Sequence, residues 1–400
     1  MAVVTSDRGR RQTAPTQANF LYRPEVRQAI YQVLLVVLLL ALFYALVHNT
    51  AANLRKQNIA SGFDFVGRTA GFDVSQSLID FNSSMTYGRA FLVGLLNTLL
   101  VAGLGIVVAT VLGFVIGIAR LSSNWLIARL ATVYVEVIRN VPLLLQLFFW
   151  YFAVLKALPP PRQSLALPGG GFLNVRGLYL PAPILEPGFE FVAATILLGI
   201  VAAAAVYTWA RRRQNVTGQQ FPVLWTSLAL IVGVPLLTHL MLGSPMTFEF
   251  PELKGFNFQG GMVLQPEFLA LLLGLSIYTA SFIAEIVRAG IQGVSKGQKE
   301  AALAIGLTQG QSLRLVVIPQ AMRIIIPPLT SQFLNLTKNS SLAVAIGYPD
   351  LVSVWSGTVL NQTGQAVEVI LVTMCVFLAI SLVTSAFMNW FNRRMALVER

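Results

Sequence analysis

Residues 295–319 read SKGQKEAALAIGLTQGQSLRLVVIP. Lys296, Lys299 and Arg314 outnumber the single acid Glu300, and glycines punctuate the run at 297, 306 and 310. On either side lie strongly apolar stretches, about 266–290 and 324–346, each long enough to cross a bilayer, which takes roughly 20 residues. A polar, basic loop wedged between two such stretches is the part of a membrane protein that meets something soluble.

Moving outward, six more apolar spans fall near 30–47, 91–119, 135–157, 190–209, 222–242 and 366–390, making about eight in all. Hydrophobic residues are 56% of the chain and charged residues only 11%. The expected fold is an all-α polytopic membrane protein. The net charge of +12 does not point to nucleic acid, because the basic residues sit at the ends of apolar runs, where they meet lipid headgroups and set orientation. An even number of spans puts both termini on one side. Eighteen Lys and Arg fall on the segments of that side and eight on the other, so the termini and the 295–319 loop are expected in the cytoplasm. The first span follows a long polar arm with no small-residue cleavage site after it, which reads as a retained anchor.

This pattern divides the chain into an arm (1–29), an extra first transmembrane helix with an outer segment (30–89), the first part of a helical core (90–157), an insertion (158–265), the second part of the core (266–390) and a cytoplasmic tail (391–400). The insertion is rich in Pro and Gly, notably Pro159–Pro161 and Gly169–Gly171, and its two extra helices carry almost no polar groups. The second span is different: Gly105, Ala109, Gly113 and Gly117 recur every four residues and offer a small-residue face to a neighbouring helix.

Ionisable groups inside a membrane are expensive and mark function or structural pairing. Glu136 and Arg139, three residues apart, are expected to form an ion pair. Glu285 shares a polar stripe with Tyr278 and Ser281, which suits either substrate contact or interhelical hydrogen bonding. In the seventh span Pro327 and Pro328 are expected to interrupt the start, and Asn335, Thr337, Lys338, Asn339, Ser340 and Ser341 crowd the outer half. That cluster suits a pathway lining, a water-filled cavity or a snorkelling lysine. The single cysteine, Cys375, lies in an apolar run, leaving no disulfide framework and no thiolate metal site. His48 and His239 are far apart with no catalytic constellation, so an enzyme is not indicated.

Within the loop, Glu300, Ala301 and Ala302 open a good helix-forming stretch and Gly306 is placed to end it in a left-handed cap. Thr308 and Gln311 make a capping-box pattern for a second short helix, which Pro319 is expected to terminate. The result would be a helix-turn-helix knob.

Glu300-Ala301-Ala302, Gly306 and Val316 to Pro319 resemble the EAA loop of binding-protein-dependent ABC importer permeases. Tyr278 to Gly290, Pro319-Gln320-Ala321, Pro327-Pro328-Leu329 and Lys338 to Leu342 are similar to its polar amino-acid branch, as are Gly94 to Leu99, Tyr134 to Arg139, Pro142 to Leu144 and Gln146 to Phe149. Many members have Asp where Asn339 stands. That departure, the extra first span and the insertion look like the general L-amino-acid subgroup.

The resemblance implies a type I ABC importer transmembrane domain in the bacterial inner membrane. Its partners would be a second homologous permease subunit, a pair of cytoplasmic ATPase subunits and a periplasmic amino-acid-binding protein. No Gly-x4-Gly-Lys-Ser/Thr phosphate loop occurs, so ATP and Mg belong to the partner ATPase and the chain itself carries no cofactor. Glu300, Ala301, Ala302, Gly306 and Pro319 would then be the ATPase-coupling residues. Asn97, Glu285, Asn335, Lys338 and Asn339 are the candidates for lining a substrate pathway, with a cation and a carboxylate to match the two charges of an amino acid. An ion-coupled secondary transporter, which also uses broken helices and intramembrane charges, is the alternative.

Overall fold

The computed structural model describes residues 24–56 and 61–395; most of the basic arm and the last five residues of the tail lie outside the described residues. Helix α1 (Pro24–Lys56) has no buried residue in its apolar window, so every face there is open to lipid or to a partner. Helix α2 (Tyr87–Ala119) follows an outer loop, opened by Thr86, whose hydroxyl accepts from the Arg89 N–H.

Helices α3 (Trp125–Asn140) and α4 (Leu143–Phe148), the latter extended by a π-helical segment Phe149–Leu155, meet at an angle of 106°. This replaces the straight span expected over 135–157. Pro142 has no N–H to continue α3, and its ring forces Val141 into extended backbone (φ −98°, ψ 127°). The Gln146 amide then staples the corner, donating to the Ile138 and Val141 carbonyls at 2.9 Å each.

The 158–265 region pairs strands outside the membrane with a helical hairpin through it. Strands β1 (Leu165–Leu167), β2 (Gly171–Asn174) and β3 (Gly177–Leu180) are followed by β4 (Ala182–Leu185), helix α5 (Phe189–Thr217), helix α6 (Val223–Leu228) and helix α7 (Val234–Met241). Strands β5 (Met246–Glu249), β6 (Glu252–Lys254), β7 (Asn257–Gln259) and β8 (Met262–Leu264) complete it. All pairings are antiparallel: one sheet has the order β1-β2-β3-β8, while β4 pairs with β5 and β6 with β7. The chain therefore leaves and re-enters the same sheet around the α5–α7 hairpin.

Helix α8 (Pro266–Gln292) runs parallel to α2, since Gly113 lies against Ala280 and Ile283 while Gly117 lies against Ala284 and Val287. Both helices start at the strand end, where Gln265 donates to the Ser75 carbonyl at 2.5 Å. Because α2 starts at the end where β1 to β3 later lie, the bent α3–α4 pair must return the chain across the membrane. With it counted, the described residues hold eight candidate crossings.

The loop after α8 holds helix α9 (Lys296–Ala304) and helix α10 (Gln309–Ser312). From α10 the chain continues unbroken through a π-helical turn (Leu313–Val317), helix α11 (Ile318–Asn339) and a tight 3-10 stretch to Ile346. The stop expected at Pro319 and the interruption expected at Pro327–Pro328 are both absent. Pro319 sits in the first turn of α11 just after a widened π turn, where its missing N–H costs little. Pro327 and Pro328 remain inside the helix, as prolines can in membrane helices where neighbouring groups compensate the lost bond. A wide turn (Val352–Val359) leads through helix α12 (Leu360–Thr363) to helix α13 (Ala366–Met395).

The core is built on α2, α4, α8 and α11, with Leu147, Leu271, Leu275, Ile283, Ile325 and Leu336 among its fully buried side chains. A second cluster at the strand end joins Phe65, Tyr87, Leu351, Trp355, Val359 and Val369.

Candidate functional site

The loop is assembled largely as its residues dictate. Ala304 ends α9, and Gly306 follows at φ +87°, a left-handed conformation that costs other residues a clash with Cβ. Thr308 caps α10 in a complete capping box with Gln311. Ala302 is buried, whereas Glu300, Ala301 and the turn residues Ile305 and Gly306 are exposed, Ile305 to 78%.

At the loop end of the bundle the charges are cross-linked. Arg120, at the C-terminus of α2 with its side chain only 9% exposed, hydrogen-bonds Glu285 of α8, which also takes two bonds from Arg288 at 2.5 and 3.2 Å. Glu136 of α3 lies 3.9 Å from the same Arg120. The expected Glu136–Arg139 pair is thus not among the ion pairs of the described residues. Arg120 reaches Glu136 from another helix, while the Arg139 guanidinium stacks over the Phe282 ring at 5.0 Å. Glu285 is therefore engaged in tying α2 to α8, and its stripe companion Ser281 is buried and bonded to the Tyr278 carbonyl.

Asn97 is fully buried near the strand end of α2. Its amide donates to the Gln76 carbonyl at 2.8 Å and to the Pro349 carbonyl at 2.9 Å. Beside it, the Thr98 hydroxyl accepts from the Leu351 N–H at 2.9 Å, and Tyr348 donates to the Asn97 carbonyl at 3.3 Å. The Gly94 to Leu99 motif thus grips the loop that follows α11. Asp350 in that loop is buried, accepts from the Ser353 N–H at 2.8 Å, and has its other oxygen unpartnered. Removal from water pushes its carboxyl up to about 7, against hydrogen bonds that pull it down. Nothing in the residue pattern of Gly347 to Leu351 had singled this loop out; the only signal was the turn-forming Gly-Tyr-Pro-Asp run itself.

Asn335 and Lys338 are different again. Ile324, Pro328, Ser331, Asn335 and Lys338 recur at intervals of four and three along α11 and are all exposed, whereas Ile325, Ile326, Leu329, Leu336 and Thr337 on the opposite side are buried. Asn339, half-buried, lies one residue further round. Asn335 and Lys338 are thus brought together on one outward stripe, joined by Ser331. Asn97 and Glu285 stand apart from it, at opposite ends of the bundle.

The family model of the binding-protein-dependent transport system inner membrane component matches residues 195–397. The general L-amino acid transport system permease protein AapQ of Rhizobium johnstonii is 57% identical over 380 residues, 95% of each chain. The putative amino-acid ABC transporter permease protein YhdX of Escherichia coli K12 is 53% identical over 391 residues, 98% of this chain and 99% of that one. The glutamate/glutamine/aspartate/asparagine transport system permease protein BztB of Rhodobacter capsulatus is 40% identical over 422 residues, 96% and 99% of the two chains. Coverage this complete in both directions means that the first helix and the strand-bearing insertion are shared with these permeases. With the family model matched over half of the chain and relatives this similar along their whole length, the chain belongs to the binding-protein-dependent transport system inner membrane components, the permeases of ABC importers.

Proposed function

We propose that this chain is one of two unlike permease subunits of an ATP-driven importer of L-amino acids with broad side-chain tolerance. The observation that carries the reading is the outward stripe of α11. Ser331, Asn335 and Lys338 are exposed on a membrane helix, and lipid is a costly neighbour for a lysine and an asparagine. A second permease subunit packed on this face would enclose a polar path between the two chains, with Asn339 at its edge. Lys338 would receive the amino acid's carboxylate. Full-length relatives named as amino-acid permeases support this substrate class, and they lend no support to the ion-coupled alternative.

In this assembly a periplasmic binding protein delivers the amino acid at the strand end, and a pair of cytoplasmic ATPase subunits, holding ATP and Mg, takes up the 295–319 loop. Glu300, Ala301, Ala302, Gly306 and Pro319 are its coupling residues: the exposed Ala301 allows close approach, Ala302 is buried inside the loop and helps hold its shape, and Gly306 fixes the turn. Both termini lie in the cytoplasm of a bacterial inner-membrane protein, and the domain limits at 29, 89, 157, 265 and 390 follow. Glu285 and Asn97, tied into the bundle, serve as interhelical links outside the path. In the reconstituted importer, Lys338→Ala should lower amino-acid uptake about tenfold to a hundredfold, the scale of one charged hydrogen bond, while assembly is unchanged. Undiminished uptake by an assembled Lys338→Ala importer refutes the path.

A further inference from the structure

A cavity of about 680 Å³ lies at the base of the loop, between the end of α8, the start of α9 and the α10 turn. Its walls divide by chemistry. Ile291, Val294, Leu313 and Val317 supply apolar surface, Lys296 and Lys299 stand one helical turn apart as its cations, and no carboxylate lines it. Ser312 also lines it, and the hydroxyl of this fully buried residue has no hydrogen-bond partner. A buried hydroxyl left unpaired is costly, and a ligand oxygen would satisfy it.

The position limits what can fill the cavity. Helix α8 ends at Gln292, and Gly293 just beyond it lies against Ile324, where the apolar stretch of α11 starts, so the cavity flanks the loop-side ends of two candidate membrane spans. There, an apolar pocket with a cationic mouth matches one class of molecule. We propose that it is a binding site for an anionic phospholipid, whose phosphate meets Lys296, Lys299 and the Ser312 hydroxyl while an acyl chain lies along Ile291, Val294, Leu313 and Val317. The bound lipid would wedge α8 against the loop and stiffen the junction between them. Only that consequence rests on reading the loop as the coupling element; the binding does not.

The full-length chain, purified in detergent with an equimolar mixture of phosphatidylglycerol and phosphatidylcholine, is examined by native mass spectrometry for retained lipid. Wild type should keep phosphatidylglycerol in preference, and Lys296→Gln with Lys299→Gln should lower that retention roughly tenfold or more, each lysine near an anionic surface contributing on the order of one kilocalorie. Lys296→Arg with Lys299→Arg should retain it. Arg211→Gln with Arg212→Gln, exposed cations near the C-terminal end of α5, should leave it unchanged. The proposal is overturned by a wild type without preference, by equal retention in the Gln pair, or by equal loss in the Arg211/Arg212 control, which would mean a general basic belt. Complete displacement by excess inorganic phosphate would overturn it too, by showing a site for a free anion.

Discussion

The parallel packing of α2 on α8 makes a graded prediction for one methyl group. A Cβ placed on Gly113 would come within 2.5 Å of Ile283 Cβ and Cγ2 and 3.1 Å of the Ala280 carbonyl oxygen. On Gly117 it would lie 2.7 Å from the Ala284 carbonyl oxygen and 2.8 Å from Val287 Cβ. Ordinary carbon contacts are about 3.5–4.0 Å, and at each glycine a backbone oxygen and a Cβ, which no rotamer change can move, are among these neighbours, so the helices must part by about 1 Å. Overpacking of this kind costs about 1–3 kcal/mol. At Gly105 the Cβ meets only the Leu336 methyl groups, the nearest at 3.3 Å, which a small rotation relieves; at Gly103 it meets nothing. Alanine substitutions should therefore rank Gly103 as harmless, Gly105 as mild, and Gly113 and Gly117 as lowering the melting temperature by several degrees. Thermal unfolding followed by intrinsic fluorescence in one detergent would measure all four. If Gly113→Ala proves as stable as Gly103→Ala, the close parallel contact is wrong, and with it the crossing count built on it.

Arg120 and Glu285 should be coupled in a double-mutant cycle of Arg120→Gln and Glu285→Gln by about 0.5–3 kcal/mol, read from thermal unfolding; additive effects would remove the α2–α8 clamp. Asp350 has a folded-state pKa near 7 against an ordinary 3.8, so the folded chain holds the extra proton between those values and its contribution falls as pH rises from about 4 to 7. Unfolding temperatures of wild type minus Asp350→Asn should therefore drop on going from pH 5.5 to 8, and a flat difference would contradict the burial of this carboxyl. Gly306→Val, at φ +87°, should cost roughly 1–2 kcal/mol of local stability and weaken ATPase attachment in pull-downs without disturbing membrane insertion; normal attachment would mean that the turn geometry is unimportant.

Much of this architecture is legible in the residues. Hydropathy alone locates the candidate crossings among the described residues, because the bilayer tests each segment separately, though over 135–157 it misses the bend and the start at Trp125; the Thr308–Gln311 box and the Gly306 cap are local signals that need no tertiary partner. Prolines are where local reading misleads. Pro142 does break its helix, because Val141 can swing to extended backbone and Gln146 can satisfy the freed carbonyls. Pro319, Pro327 and Pro328 do not: one follows a π turn, and the other two stay inside a continuous helix, on its exposed side. Spacing likewise proposes Arg139 for Glu136, whereas the nearer charge, Arg120, arrives from another helix. For α11 the polar cluster is plain in the sequence. The three- and four-residue spacing of Ser331, Asn335 and Lys338 already sets them on one side, opposite Ile325, Leu329 and Leu336; that Thr337 is buried while Ile324 is exposed is what the packing of the other helices adds.

The unbroken run from Gln309 to Ile346 has a mechanical meaning. Gly290 of α8 touches it at Ile325, so closely that a methyl group on the glycine would overlap the isoleucine side chain. From that contact it is about 24 Å along the axis to Gln309 and about 20 Å to Lys338, at 1.5 Å per residue. The run is gripped a second time at Leu336, against Gly105 of α2, so in the proposed importer a displacement of the turn beside Gly306 would travel to Lys338 along one continuous helix held at two glycine contacts.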